Sequence, residues 1–103
     1  MSRGHPERPD RISNIFACHA DYGLLERVLR LEGRQATEEE LKLVHTEDHI
    51  KLMQQTQSMS NKELYRLQEK FNSIYLHSST YEAALFAAGS VLEVTPVVIA
   101  TVL

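Results

Sequence analysis

The sequence predicts an α/β protein with an incomplete sheet, and three observations carry that reading. Capping-box patterns at Thr37–Glu40, Ser60–Glu63 and Ser79–Glu82 each open a stretch of helical character. Short runs rich in β-branched and aromatic residues stand between the helices, at 28–31, 73–77 and 97–103. The order is helix, short strand, three helices, strand, helix and strand-like tail, a mix that suggests α/β with too few strands to complete a sheet.

The first helix starts near Pro9, whose missing N–H would have no partner in a first turn, and Asp10 favours the positive end of the helix dipole. Ile12, Ile15, Phe16, His19 and Tyr22 recur at helical spacing and predict one buried stripe. Gly23 suits the left-handed C-cap. Residues 24–31 are ambiguous, with Val28–Leu31 a candidate strand that Gly33 ends. Thr37 opens a short helix, and Thr46 caps the next, which turns Ile50 and Met53 inward. Behind Ser60, Leu64, Leu67 and Phe71 share a face. Ser73–His77 reads as a strand. The last box opens a helix with Tyr81, Ala84, Leu85, Ala88, Val91 and Leu92 on one face. Its small residues, Ala83, Ala84, Ala87, Ala88 and Gly89, let it lie close to a neighbouring layer. Pro96 is expected to end it, leaving a strand-like tail.

A chain of 103 residues is one domain at most. The net charge of −3 and the mixing of Arg27, Arg30 and Arg34 with Glu26 and Glu32 argue against direct nucleic-acid binding. Cys18 is the sole cysteine, which excludes an internal disulfide; within a helical pattern it reads as a buried structural thiol. The first residues hold no apolar stretch, and the longest apolar run, 97–103, is far shorter than the ~20 residues of a spanning helix. The expected setting is cytoplasmic or nuclear, without a membrane.

Candidate chemistry is sparse. His45 and His49 are four apart, the spacing of a zinc pair on one helix face. Thr46 stands where a metalloprotease motif needs glutamate, and His45 precedes the helix, so packing at a helix start is the expected role. His5-Pro6-Glu7 places a histidine and a carboxylate in a stiff loop suited to lining a pocket, or simply to facing solvent. Arg11 alone suggests an ion pair, His19 a core position, and His77 the border of a site after a strand. Ser73, Ser78 and Ser79 lack a nucleophile elbow, and glycines at 4, 23, 33 and 89 form no phosphate loop.

The string His5-Pro-Glu-Arg-Pro-Asp-Arg-Ile12 resembles the first loop of the zinc-dependent histone deacetylase family. Similar segments follow in the same order: Tyr22–Leu25, Ala36–Leu41, Val44–Ile50, Phe71–His77 and Ala87–Leu92. Phe71–His77 and the Gln57–Leu64 connection look most like the class IIb branch. The resemblance implies an arginase/deacetylase-like parallel-sheet fold, of which this chain is a helix-rich N-terminal portion. It also implies a zinc held by two aspartates and a histidine, a tandem histidine pair for proton transfer, and acetylated protein substrates of histone or tubulin type.

By the same resemblance, His5 and Pro6 match the pocket rim, and Arg11 matches an arginine near an acetate-release channel. Ser73 matches a serine that accepts a hydrogen bond from the substrate backbone. No Gly-His-His string is present, so no catalytic or metal-binding residue is assigned. Zinc is expected in the complete domain and not in this chain, which is expected to be inactive alone. Residues 1–94 follow the family pattern, and residues 95–103 read as a divergent tail. The alternative is a non-catalytic helical interaction or regulatory module.

Overall fold

The computed structural model describes residues 4–102. The chain divides into two compact units, one ending at Arg30 and the other beginning at Leu31.

The first unit is built on helix α1, Asp10–Asp21, with Pro9 at its N-cap. Gly23, at φ +69°, turns the chain so that the Leu24 N–H bonds back to the His19 carbonyl at 2.9 Å. Glycine takes the left-handed conformation that closes a helix in this way without a Cβ penalty. A single 3-10 turn, Leu25–Arg27, follows. The expected stripe forms but is not buried: Ile12 is 72% and Tyr22 80% exposed, with Ile15 and Phe16 also open to solvent. A 12-residue helix and one turn offer too little apolar surface to cover it, although the Arg30 guanidinium lies over the Phe16 ring at 5.9 Å. For the same reason Cys18 is exposed and not the buried thiol expected from its helical setting. His19 is likewise exposed, beside Leu24, Arg27 and Val28.

The second unit carries α2 (Glu38–Leu41), α3 (Glu47–Gln55), α4 (Asn61–Gln68) and α5 (Thr80–Val102). Side-chain capping starts three of them. Thr37 and Ser60 make complete capping boxes with Glu40 and Glu63, and Thr46 Oγ1 accepts from the His49 N–H. Each cap satisfies a backbone donor that the helix leaves open. The core is small: Leu64, Leu67 and Leu76 are buried, with Leu52 and Met59 packed on them. Thr56 is wholly buried, its hydroxyl donating to the Met53 carbonyl at 2.5 Å.

Residues 34–36 lie against α5, where the Ala36 N–H donates to the Leu85 carbonyl at 2.9 Å. A Cβ on Gly89 would stand 2.0 Å from the Arg34 carbonyl oxygen, so this approach requires glycine. Of the small residues expected to bring α5 close to a neighbour, Gly89 makes this approach, while Ala83, Ala84 and Ala87 are exposed.

The strand expectations fail: among the described residues none is in a strand, including 28–31, 73–77 and 97–102. A strand needs a neighbour to satisfy its N–H and C=O groups, and the helices here provide none. The turn before α5 is also not a Ser79 box. Thr80 Oγ1 accepts from the His77 N–H at 2.8 Å, and His77 Nδ1 accepts from the Ser79 N–H at 3.1 Å.

Pro96 lies inside α5 and does not end it. Proline removes one intrahelical bond, while Thr95 and Thr101 donate to the Val91 and Val97 carbonyls at 2.7 and 2.8 Å. The 23-residue helix is therefore long and apolar enough to cross a membrane, by length and composition only, in contrast to the short apolar run expected.

Candidate functional site

In the first unit, His5 and Pro6 precede α1; His5 is half-buried and Pro6 exposed. His5 Nδ1 accepts from the Glu7 N–H at 3.0 Å, which orients the ring against its own loop. Arg11, one residue into α1, is exposed and pairs with Glu7 at 2.5 Å, and Arg8 pairs with Asp10. Local ion pairs thus fix the loop at the entry to the helix. Such exposed pairs contribute only ~0.2–1 kcal/mol each, so they shape the loop more than they stabilise it.

Ser73 belongs to the second unit. It is exposed, with φ +57°, the only positive φ at a non-glycine among the described residues. Serine in the left-handed region is strained by ~1–2 kcal/mol relative to glycine. The residues that follow are tied down on both sides. Gln68 of α4 accepts from the Leu76 N–H at 3.1 Å, and His77 is bonded to the first turn of α5.

His45 precedes α3, as expected, yet its ring stacks on His49 with centroids 5.1 Å apart and 29° between planes. Sequence reasoning separated the two; the turn before α3 folds His45 back beside its partner. Both border an open pocket of about 240 Å³ walled by Ile50, Met53, Leu85 and Ala88. On its rim Gln54 donates to the Tyr81 hydroxyl at 3.2 Å and to Glu38 at 2.6 Å. The rings lie face to face and do not converge at their edges. Among the described residues no three His, Cys, Asp or Glu side chains gather to hold a metal. Among the described residues, His45 and His49 are not joined by the two aspartates that the resemblance implies for zinc.

The strongest electrostatic feature is Arg34. Its guanidinium grips Glu40 through two bonds of 2.8 and 2.9 Å and Glu93 of α5 through one of 2.6 Å. Hydrogen bonds to Glu40 and then Glu93 raise the Arg34 pKa. The same Arg34 bond, followed by the Thr37 backbone N–H, lowers Glu40 to about 2. The backbone N–H of Ser60 lowers Glu63 in the second capping box. This triad clamps the start of α2 to α5; its groups serve structure, not proton transfer.

The sequence-assigned positions thus fall in two groups: His5, Pro6 and Arg11 in the first unit, Ser73 in the second. Sequence reasoning missed the groove formed by Tyr65, Gln68 and Tyr75. Its signals were His77, read as the border of a site, and Tyr75, taken as part of a strand.

Residues 5–102 match the histone deacetylase domain as a family. The chain is 40% identical over 93 residues to the human polyamine deacetylase HDAC10, covering 90% of this chain and 14% of that protein. It is 41% identical over 91 residues to histone deacetylase 6 of Caenorhabditis elegans, covering 86% and 10%. With histone deacetylase HDA1 of Saccharomyces cerevisiae it shares 32% identity over 107 residues, covering 92% and 15%. The chain therefore spans about a seventh or less of the length of these relatives. A match running through almost every described residue, in the order in which the loop, the Ser73 turn and α5 occur, leads to one assignment: the chain belongs to the histone deacetylase domain family, in its class IIb-like part.

Proposed function

We propose that this chain supplies substrate-rim elements of a class IIb-like deacetylase domain, whose complete form removes acetyl groups by zinc-dependent hydrolysis. Its substrates are acetylated amines, either protein lysines or polyamines, as the names of its relatives suggest. The setting is the cytoplasm or nucleus. No step of amide cleavage is assigned to residues of this chain; what they do is bind and orient. His5 and Pro6 border the pocket mouth. Arg11 lies near the acetate-release path and is positioned by Glu7. The Ser73 hydroxyl accepts a hydrogen bond from the substrate.

The observation that carries this reading is the backbone at Ser73. An exposed serine at φ +57° strains the backbone, and such strain gathers at binding sites. Two substitutions test it. Ser73→Gly keeps the left-handed turn and removes the hydroxyl, so affinity for an acetyl-lysine peptide should fall by about 2–10-fold, the worth of one neutral hydrogen bond. Ser73→Thr keeps the hydroxyl and should retain more affinity than Ser73→Gly. Unchanged affinity in Ser73→Gly would remove Ser73 from the site.

The second reading, a non-catalytic interaction module, draws its support from α1. Its apolar face is exposed within its own unit and is suited to a partner surface. Turnover by the isolated chain would refute that reading.

A further inference from the structure

On α5, Tyr81, Ala84, Leu85 and Ala88 are spaced by three and four residues and share one side of the helix. From α3, Ile50 and Met53 meet that side, and the stacked rings of His45 and His49 stand beside them. Between the two helices lies the pocket of about 240 Å³. None of His5, Pro6, Arg11 and Ser73 lines it, so the function proposed for those residues leaves it unexplained.

The size and walls of this pocket select a flat ligand. A dry apolar cavity of about 150 Å³ holds one benzene ring, so this one takes two fused rings and little more. Ala84 and Ala88 stand one helical turn apart and end at Cβ, which leaves a smooth strip where longer side chains would raise ridges. The His45 and His49 rings lie 5.1 Å apart and 29° from parallel, and an aromatic ring laid beside them extends an offset stack. The Met53 thioether offers the soft contact that sulfur makes with aromatic rings. An aliphatic chain would gain nothing from the stack.

The polar groups select a neutral acceptor. No Asp, Glu, Lys or Arg lines the pocket, so a charged ligand would lose its hydration without a counter-charge. The Gln54 amide nitrogen donates to the Tyr81 oxygen at 3.2 Å and to Glu38 at 2.6 Å. Tyr81 is thus already an acceptor, and its own O–H has no acceptor among the described residues. That hydroxyl is one directed donor on an otherwise apolar lining.

We infer that this pocket binds a small neutral aromatic molecule of one or two fused rings, with an oxygen or ring nitrogen that accepts from the Tyr81 hydroxyl. The ligand bridges α3 and α5, so its occupancy stabilises the second unit by mass action.

The test is NMR of the methyl and imidazole groups of the 103-residue chain, titrated with indanone, a flat neutral bicycle with a single carbonyl acceptor. Saturable shifts should appear at the Met53, Ala84 and Ala88 methyls and at the His45 and His49 rings, and Tm should rise with ligand concentration. Indane, the same bicycle without the carbonyl, should bind about 2–10-fold more weakly, the worth of one neutral hydrogen bond. Tyr81→Phe should weaken indanone by that factor and leave indane unchanged. Ala84→Leu, at an exposed position where leucine suits a helix, fills the strip and should weaken both by about tenfold or more without lowering Tm in the absence of ligand. N-acetyltryptophanamide, whose bicycle carries peptide groups the pocket has no room for, should bind more weakly than indanone. The absence of saturable shifts, or binding indifferent to Ala84→Leu, would overturn the site. Equal binding of indanone and indane would overturn the Tyr81 contact. Tighter binding of N-acetyltryptophanamide would overturn the free ligand in favour of an aromatic side chain from a protein.

Discussion

Replacing Gly89 by alanine should destabilise the second unit, against the ordinary trend for helices. In an exposed helix interior alanine is favoured over glycine by ~1 kcal/mol. At Gly89 the added methyl would stand 2.0 Å from the Arg34 carbonyl oxygen and 2.7 Å from both the Ala36 nitrogen and the Gln35 carbonyl carbon. All three are backbone atoms, so no rotamer relieves the clash. Overpacking of this kind costs ~1–3 kcal/mol. Pushing residues 34–36 away also breaks the Ala36 to Leu85 bond, and leaving a buried amide unpaired costs a further ~1–3 kcal/mol. Less the gain in propensity, the net loss is ~1–5 kcal/mol. For a domain of this size each kcal/mol lowers Tm by roughly 4–8 °C. Thermal unfolding followed by circular dichroism measures it, with Gly4→Ala as a control, because nothing lies within 4 Å of a Cβ at Gly4. Amide exchange at Ala36 should quicken in Gly89→Ala. A Tm equal to or above that of the parent would refute the packing of 34–36 on α5.

Three further outcomes follow from the same packing. Leu64→Ala should cost ~2–5 kcal/mol, enough to unfold so small a core, whereas exposed Ser78→Ala should stay within ~0.5 kcal/mol; urea unfolding separates them. Glu40 has a folded pKa of about 2, below its ordinary 4.5, so its contribution is complete above 4.5 and lost as pH falls from there toward 2. Glu40→Gln should therefore lower the urea midpoint at pH 7 and flatten its decline between those values; an unchanged acid limb would exclude the Arg34 clamp. Pro96→Ala restores a donor for the Leu92 carbonyl and removes a penalty of ~3 kcal/mol in a helix interior. Helical circular dichroism should rise, and no rise would mean that α5 does not continue past Pro96.

What the sequence disclosed was mostly local. Thr37, Thr46 and Ser60 were legible as caps because a cap needs only a hydroxyl and its own helix start. Gly23 was legible for the same reason, and the small face of α5 foretold a close approach though not its partner, residues 34–36. Misreadings arose where the outcome depends on what lies opposite. Ser73–His77 has strand composition but no neighbouring strand, and the α1 stripe has helical spacing but no cover in its unit. Cys18 follows α1 into solvent. Pro96 was read as a stop because the single lost bond was weighed without the apolar continuity on both sides. The stacking of His45 on His49 depends on a turn that periodicity does not encode. The left-handed backbone of Ser73, likewise, is set by the turn and not by any pattern in the sequence.

The central claim is that this chain carries binding elements of a deacetylase domain without the residues that hold zinc. It is tested most directly by measuring zinc content and turnover together on the purified 103-residue chain, with an acetyl-lysine peptide and a complete class IIb deacetylase as control. The account predicts zinc far below one per chain and no turnover above the metal-free background. Stoichiometric zinc with turnover that co-elutes with the chain and is lost on chelation would contradict it, and would make His45 and His49 the first residues to replace.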